Sequence, residues 1–337
     1  MSNSKQTMKL FLLDKIFNLN EVQETILTQN FKEKLFIARK DIEQENYMTE
    51  DEKHFYYTWD QSQTKIEKLL LTDNSDEVIV IETYAVLEYP KRVKKDNAGN
   101  ILPKKDRIND ASIRVIFFEQ EKNVYSLIFS SNEAHIDRVR KLIGKNYIKD
   151  VDEKYFMPPD LFNWLFYKFS VSKGLLTTNF TLNNISGFIG NSIDEHNIFK
   201  SSSDQTSDLI ITKAFISNGE ILKNITAKIT TLEGEIVFSL DHNSNATLFI
   251  TQSLMYFNSI DRTILAPIYL YKILIPTIKK TYKENSKKFL ERDKKHFSAK
   301  IGLEVIKSII NNNDIDLKDI QELFVQIDEK IPSITNN

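Results

Sequence analysis

The sequence contains no cysteine. That excludes disulfides, thiol nucleophiles and cysteine-ligated zinc or iron–sulfur centres, and it suits a reducing compartment such as the cytoplasm. Glycine is scarce as well, at 8 of 337 residues, and neither GxxxxGK[ST] nor GxGxxG occurs, so a standard phosphate-cradling loop is not expected. The five histidines are scattered, without HxxxH or HxH spacing, and no GxSxG elbow presents a serine nucleophile. Long apolar runs are missing too. The longest, Ile264 to Ile278, is broken by Pro267, Lys272 and Pro276 and falls short of the roughly 20 residues that span a bilayer, so no membrane association is expected. At the N-terminus the apolar stretch Leu10 to Leu13 is closed by Asp14, too short for a signal peptide.

A surplus of one charge is also lacking, since the net charge is −2 and the pI about 6.3. Any affinity for a polyanion must therefore come from segregated patches. Such segregation is present. Asp41 to Glu77 holds eleven acids against three lysines, whereas Lys272 to Lys300 holds ten bases against three acids. Two such segments could complement each other within the fold or across a dimer.

The stretch from Glu77 to Lys145 organises the first half of the chain. Val78 to Leu87 alternates as a strand and Pro90 ends it. Lys91 to Arg107 then carries seven bases against Asp96 and Asp106, with Asn97-Ala98-Gly99-Asn100 as a turn at its tip. Ile113 to Phe118 and Val124 to Phe129 return as strands, giving an antiparallel meander with an extended basic arm. Ser130 to Glu133 supplies caps for a helix with Ile136, Val139, Leu142 and Ile143 on one face and Arg138, Lys141 and Lys145 on the other.

The remaining pattern predicts an α+β protein of two domains. Residues 1–155 form an N-terminal mixed unit, with a strand from Met8, helices over 20–29 and 32–42, and a strand over His54 to Trp59. Residues 156–337 form a C-terminal β-meander covered by helices. Pro158-Pro159-Asp160 opens the second domain's aromatic helix, around Leu161, Trp164 and Leu165. Residues 179–207 suggest a short helix and loops. Strands follow at Leu209 to Ile211, Ile221-Leu222, Ile225 to Thr230, Ile236 to Leu240 and Ala246 to Ile250. The pattern is helical from Asp261, ending in an amphipathic face of Leu317, Ile320, Leu323, Phe324 and Ile327.

The function this favours is a non-catalytic, largely sequence-independent DNA- or RNA-binding accessory protein. Lys91, Arg92, Lys94, Lys95, Lys104, Lys105 and Arg107 would contact the backbone phosphates, with Arg138 and Lys141 extending the track. Trp59, Tyr56 and Tyr57 are stacking candidates if exposed. Lys279-Lys280, Lys283, Lys287-Lys288, Arg292 and Lys294-Lys295 form a second basic candidate. No cofactor or bound metal is required.

Two other readings stay open. One is a metal-dependent phosphodiesterase using Asp194-Glu195-His196, Asp204, Asp208 and Asp241-His242. The other is a scaffold subunit that meets a protein partner or a second copy of itself. Gly187-Phe188-Ile189-Gly190 matches a bare GxxG clamp but has no basic residue between its glycines. Abundant Lys, Asn and Ile, whose codons can be AT-rich, point to a low-GC bacterial or phage-like genome. An accessory protein of a mobile or defence locus fits that composition.

Overall fold

The computed structural model describes residues 5–72, 77–151, 153–191, 198–202, 210–256, 261–316 and 318–322. Its architecture is α+β, as expected, with a large antiparallel sheet and C-terminal helices. The chain divides into two compact units, Met1–Pro158 with Lys228–Lys280, and Pro159–Ala227 with Thr281–Asn337. In chain order the strands are β1 Lys5–Leu13, β2 Phe31–Lys34, β3 His54–Trp59, β4 Lys65–Leu69, β5 Val78–Pro90, β6 Ile108–Gln120, β7 Asn123–Ile128 and β8 Ile148–Lys149. The second unit follows with β9 Leu175–Thr177, β10 Phe180–Asn191 and β11 Ile198–Ser202. Then β12 Ile221–Thr231 carries the chain back, and β13 Gly234–Asp241, β14 Ala246–Phe249 and β15 Leu254–Met255 complete the strands.

In the first unit the strand order β13-β14-β1-β7-β6-β5-β3-β2 is antiparallel at every step. The expected meander is the centre of it. β5 and β6 pair from Val80↔Phe118 to Pro90↔Ile108, and β6 continues into β7 through Gln120↔Asn123. The helix Glu133–Ile143 lies against β3, β5 and β6 through Ile136, Val139, Leu142 and Ile143, each 1% exposed or less. Asn132 caps it by accepting from the Ala134 N–H at 2.9 Å, and Gly144, at φ 100°, ends it. The left-handed backbone favours glycine there.

β1 pairs with β14 and β7 along its length and with β8 at Leu12 and Leu13. Lys5 to Met8 pair with Phe249 to Ala246, whereas Lys9 to Leu13 pair with Ile128 to Val124. This pairing is why residues 228–280, read from the sequence as part of the second domain, pack in the first unit. Gly234, at φ 142°, sits so close to β15 that a Cβ there would lie 2.0 Å from the Leu254 carbonyl oxygen.

Several local expectations are corrected. Residues 32–42 do not form a helix, because Phe31 to Lys34 pair with Tyr57 to His54 as β2. Phe180–Asn191 and Ile198–Ser202 are two paired strands, where a short helix and loops were expected. Ile210–Ser217 is a helix, not a strand, and Ile221 to Thr231 is one strand instead of two. The GxxG lies inside β10, where Gly187 pairs with Ser202 and Gly190 with Phe199, so it forms no loop clamp. No described helix is long and apolar enough to cross a membrane.

Candidate polyanion-binding surfaces

The arm from Lys91 to Arg107 is a folded extension of the β5–β6 ribbon. Its base is closed by Lys91 N–H donating to the Arg107 carbonyl at 2.7 Å, and Leu102 N–H donates to the Lys94 carbonyl at 2.9 Å. Lys95 bridges Ile101, and Gly99, at φ 88°, turns the tip.

This arm is covered by the acidic segment of its own unit. Lys95 Nζ reaches Asp41 Oδ1 at 2.6 Å, and Gln44 Oε1 accepts from the Ile101 N–H at 2.7 Å. Lys104 sits between Glu88 at 2.8 Å and Asp51 at 3.0 Å, with its ammonium 4.3 Å from the Tyr56 ring centroid. The acid-rich segment from Asp41 thus meets the arm, not the Lys272 to Lys300 segment with which its charge was matched in the sequence.

Arg107 is not a phosphate contact. It is 1% exposed, donating from Nε to the Leu102 carbonyl at 2.9 Å and from Nη2 to the Glu52 carbonyl. Burial pushes its pKa down, with nearby Glu52 and Asp51 opposing the shift. It ties the arm to the acidic segment. Arg107→Met is expected to destabilise the protein by about 2 kcal/mol, because two carbonyls lose a charged donor. Urea unfolding would measure this.

Arg138 and Lys141 are also engaged. Arg138 Nη1 donates to the Ala134 carbonyl at 3.1 Å, and the guanidinium lies 5.2 Å from the Tyr89 ring centroid. The same ring packs on His135, whose pKa is lowered by burial and then by Arg138. Lys141 Nζ donates to Glu33 Oε1 at 2.8 Å, while Tyr57 OH donates to Glu33 Oε2. Burial alone would raise the Glu33 carboxyl. The Lys141 and Tyr57 hydrogen bonds, with the positive charges of Lys141 and Arg138, outweigh it and hold the group below its usual range.

A depressed folded pKa adds stability above the unfolded value and loses it as pH falls through the folded one. Lys141→Ala is therefore expected to be less stable than the parent at pH 7 and to converge on it as the pH falls below the usual glutamate range. Thermal melts at pH 7 and pH 3 would check this.

Of the nine predicted contacts, Lys91, Arg92, Lys94 and Lys105 have neither an ion pair nor a side-chain hydrogen bond among the described residues. Arg92 and Lys105 are exposed; Lys91 and Lys94 are half-buried. Two of the three aromatic candidates offer little to a base, since Tyr57 is 1% and Trp59 6% exposed, and the half-buried Tyr56 ring already carries the Lys104 ammonium.

The second basic candidate is arranged differently. Ile275–Lys288, a widened turn at Phe289–Asp293, and Lys294–Asn312 form one helical run. Within the second unit its inner face buries Tyr282, Phe289, Phe297, Ile301 and Val305. Trp164 packs edge-on against Tyr282 at 5.5 Å between centroids, and Tyr167 contacts Phe289 at 5.2 Å and Phe297 at 5.4 Å. These contacts fix which way the helix faces. Asp293 and Lys294 turn inward, to Tyr167 OH at 3.0 Å and Asp160 at 2.6 Å.

Lys283, Lys287, Lys288, Arg292, Lys295 and Lys300 all face outward and exposed, with only Glu284 and Glu291 as exposed acids among them. None of the six makes an ion pair among the described residues. The row extends about 25 Å at 1.5 Å per residue. Not every lysine of the segment belongs to it. Lys279 donates to the carbonyls of Glu153, Lys154 and Phe156 at 2.6–2.7 Å, and Lys272 to that of Glu119.

The candidate metal ligands Asp194, Glu195, His196, Asp204 and Asp208 lie outside the described residues. Asp241 and His242 serve a turn: Asp241 Oδ1 accepts from the Asn243 and Asn245 N–H groups at 2.9 Å, and His242 Nδ1 lies 3.3 Å from the Met157 carbonyl. Among the described residues no three acid or imidazole groups converge on a metal position. No protein-family model matches the chain, and a search of curated proteins finds none similar to it.

Proposed function

We propose that the protein binds DNA or RNA through the phosphate backbone as an accessory protein, and that its main contact surface is the outward face of Lys283 to Lys300. The observation that carries this reading is the six exposed cations there, free of ion pairs among the described residues, beside two acids. A row of five lysines and a single arginine suits phosphates and carries little sequence preference. Arg92 and Lys105 would add secondary contacts. The acids on Lys95 and Lys104 must be displaced before those two can serve, so the arm contributes less than its charge count suggests.

Binding to a labelled duplex, a single strand and an RNA, each at two salt concentrations with and without magnesium, tests the reading. If all six cations neutralise duplex phosphates, log affinity is expected to fall with log salt at a slope near −5. A flat salt response would overturn it. Magnesium-dependent cleavage would establish the phosphodiesterase reading instead.

A further inference from the structure

Lys272 differs from the outward cations because it lies inside the first unit. It belongs to the widened turn Leu270–Leu274, whose Leu270, Tyr271 and Leu274 side chains are fully buried and hold the backbone in place. Among the described residues its ammonium makes one hydrogen bond, to the Glu119 carbonyl, and no ion pair. A carbonyl is a dipole and not a counter-charge. Burial therefore lowers the Lys272 pKa; nearby Glu119 opposes the shift and Lys154 adds to it. A neutral amine keeps the bond to the carbonyl through one N–H and still has its lone pair to give.

That side chain lines a cavity of about 590 Å³ within the first unit, inside the usual range of roughly 300–1,000 Å³ for small-molecule sites. Leu19 forms one wall. The β4–β5 ribbon forms another, where Ile66 pairs with Ile81 and Lys68 with Ile79, so the three isoleucines share a face. Ile66 is 56% and Ile79 45% exposed, an apolar surface without a cover. The acids at the cavity are already engaged. Glu77 pairs with Lys68 at 3.3 Å and Glu121 with Lys154 at 2.7 Å, while Glu119 Oε1 accepts from the Leu19 N–H at 2.6 Å. With the Lys272 amine neutral, these three carboxylates are offset only by Lys68 and Lys154, so the surroundings favour an uncharged guest over an anion.

We propose that Lys272 is a carbonyl-reactive amine and that the cavity beside it takes a neutral aldehyde with an apolar chain. A desolvated lysine in an apolar pocket is an activated nucleophile toward carbonyl compounds. The Nζ lone pair attacks the carbonyl carbon, and the oxygen takes one N–H proton to give the carbinolamine. Loss of the hydroxyl with the second N–H proton releases water and leaves the imine, its alkyl chain against Leu19, Ile66 and Ile79. This reaction does not depend on the polyanion reading.

The test treats the full chain near neutral pH with hexanal and cyanoborohydride, which reduces each imine to a stable amine. Peptide mass spectrometry then reads the rate at every lysine. Lys272 should be modified at least about tenfold faster than the exposed Lys283 and Lys287, because more of its amine is neutral. Equal rates would overturn the proposal and leave Lys272 as a tie to Glu119. Ile66→Ser with Ile79→Ser, both at exposed positions, should slow hexanal at Lys272 by at least about threefold and leave formaldehyde unchanged, since only hexanal has a chain to bury. Equal changes for the two aldehydes would sink the assignment of the cavity. Pyridoxal phosphate, an anionic aldehyde, should favour Lys283 and Lys287 instead, and a preference for Lys272 would contradict the neutral guest.

Discussion

Lys287→Glu, Lys288→Glu and Arg292→Glu in one chain should lower affinity for a DNA duplex at low salt by about 10²- to 10³-fold and flatten the log–log salt slope by about 3. Each lost phosphate contact removes roughly 0.9 of slope and the matching counterion release, and glutamates in their place add repulsion. The three positions are exposed, so folding stability should move by no more than about 0.5 kcal/mol. Titrations at 50 and 200 mM salt, with thermal melts alongside, read both quantities. The matched variant Arg92→Glu with Lys105→Glu should cost far less, because the arm's field is already compensated by Asp41, Asp51 and Glu88. If the arm variant abolished binding and the helix variant did not, the assignment of the surface would be reversed.

Arg114→Met should have the largest effect on stability, about 3–5 kcal/mol. In the first unit Arg114 Nε donates to Glu82 Oε1 at 2.5 Å, and the two side chains are only 13% and 8% exposed. Arg114 Nη1 also donates to the Thr263 carbonyl at 3.0 Å, and the guanidinium lies 4.8 Å from the Phe129 ring centroid. Removing the cation leaves a carboxylate buried in the sheet without its counter-charge, which costs more than the pair contributed. Two further variants separate these effects. Glu82→Gln should cost less, since a neutral amide still accepts from the guanidinium. Arg114→Met with Glu82→Leu should recover much of the loss, because both charges are then gone. Urea midpoints of the parent, Arg114→Met, Glu82→Leu and the double variant close the cycle, and additive losses would show that the two side chains are not coupled.

Local patterning made the first unit's centre readable. The alternation from Val78, the turn at Gly99 and the capped helix after Asn132 all act within a few residues, and those elements stand where their residues predict. The misplaced elements were decided by partners far away in the chain. Lys32 to Lys34 have helical propensity, but His54 to Tyr56 offer them a ladder. Ile210 to Ser217 has the apolar content of a strand yet packs as a helix along Lys294–Asn312.

The candidate surface shows the same limit. Counting charge between Lys91 and Arg107 found a basic segment, but not the Asp41, Asp51 and Glu52 groups that fold onto it. In the helical run, Lys279 and Lys294 looked like Lys283 and Lys287 until Tyr282, Phe289 and Phe297 fixed the buried face. A lysine's availability depends on what lies opposite it, and composition does not contain that.

The divided pairing of β1 bears on the order of events during synthesis. Thr7 and Thr247 share a hydrogen bond across 240 residues of chain, although Leu10 to Leu13 find β7 far sooner. A ribosome making this chain therefore releases a nearly complete meander whose first strand has one half without its neighbour until β14 emerges. At roughly 5–20 residues per second, the 118-residue wait from the end of β7 to the start of β14 lasts about 6–24 s. During that interval Lys5 to Met8 present an open hydrogen-bonding edge, and only Lys5 and Lys9 supply the charge that discourages a second nascent chain from pairing there.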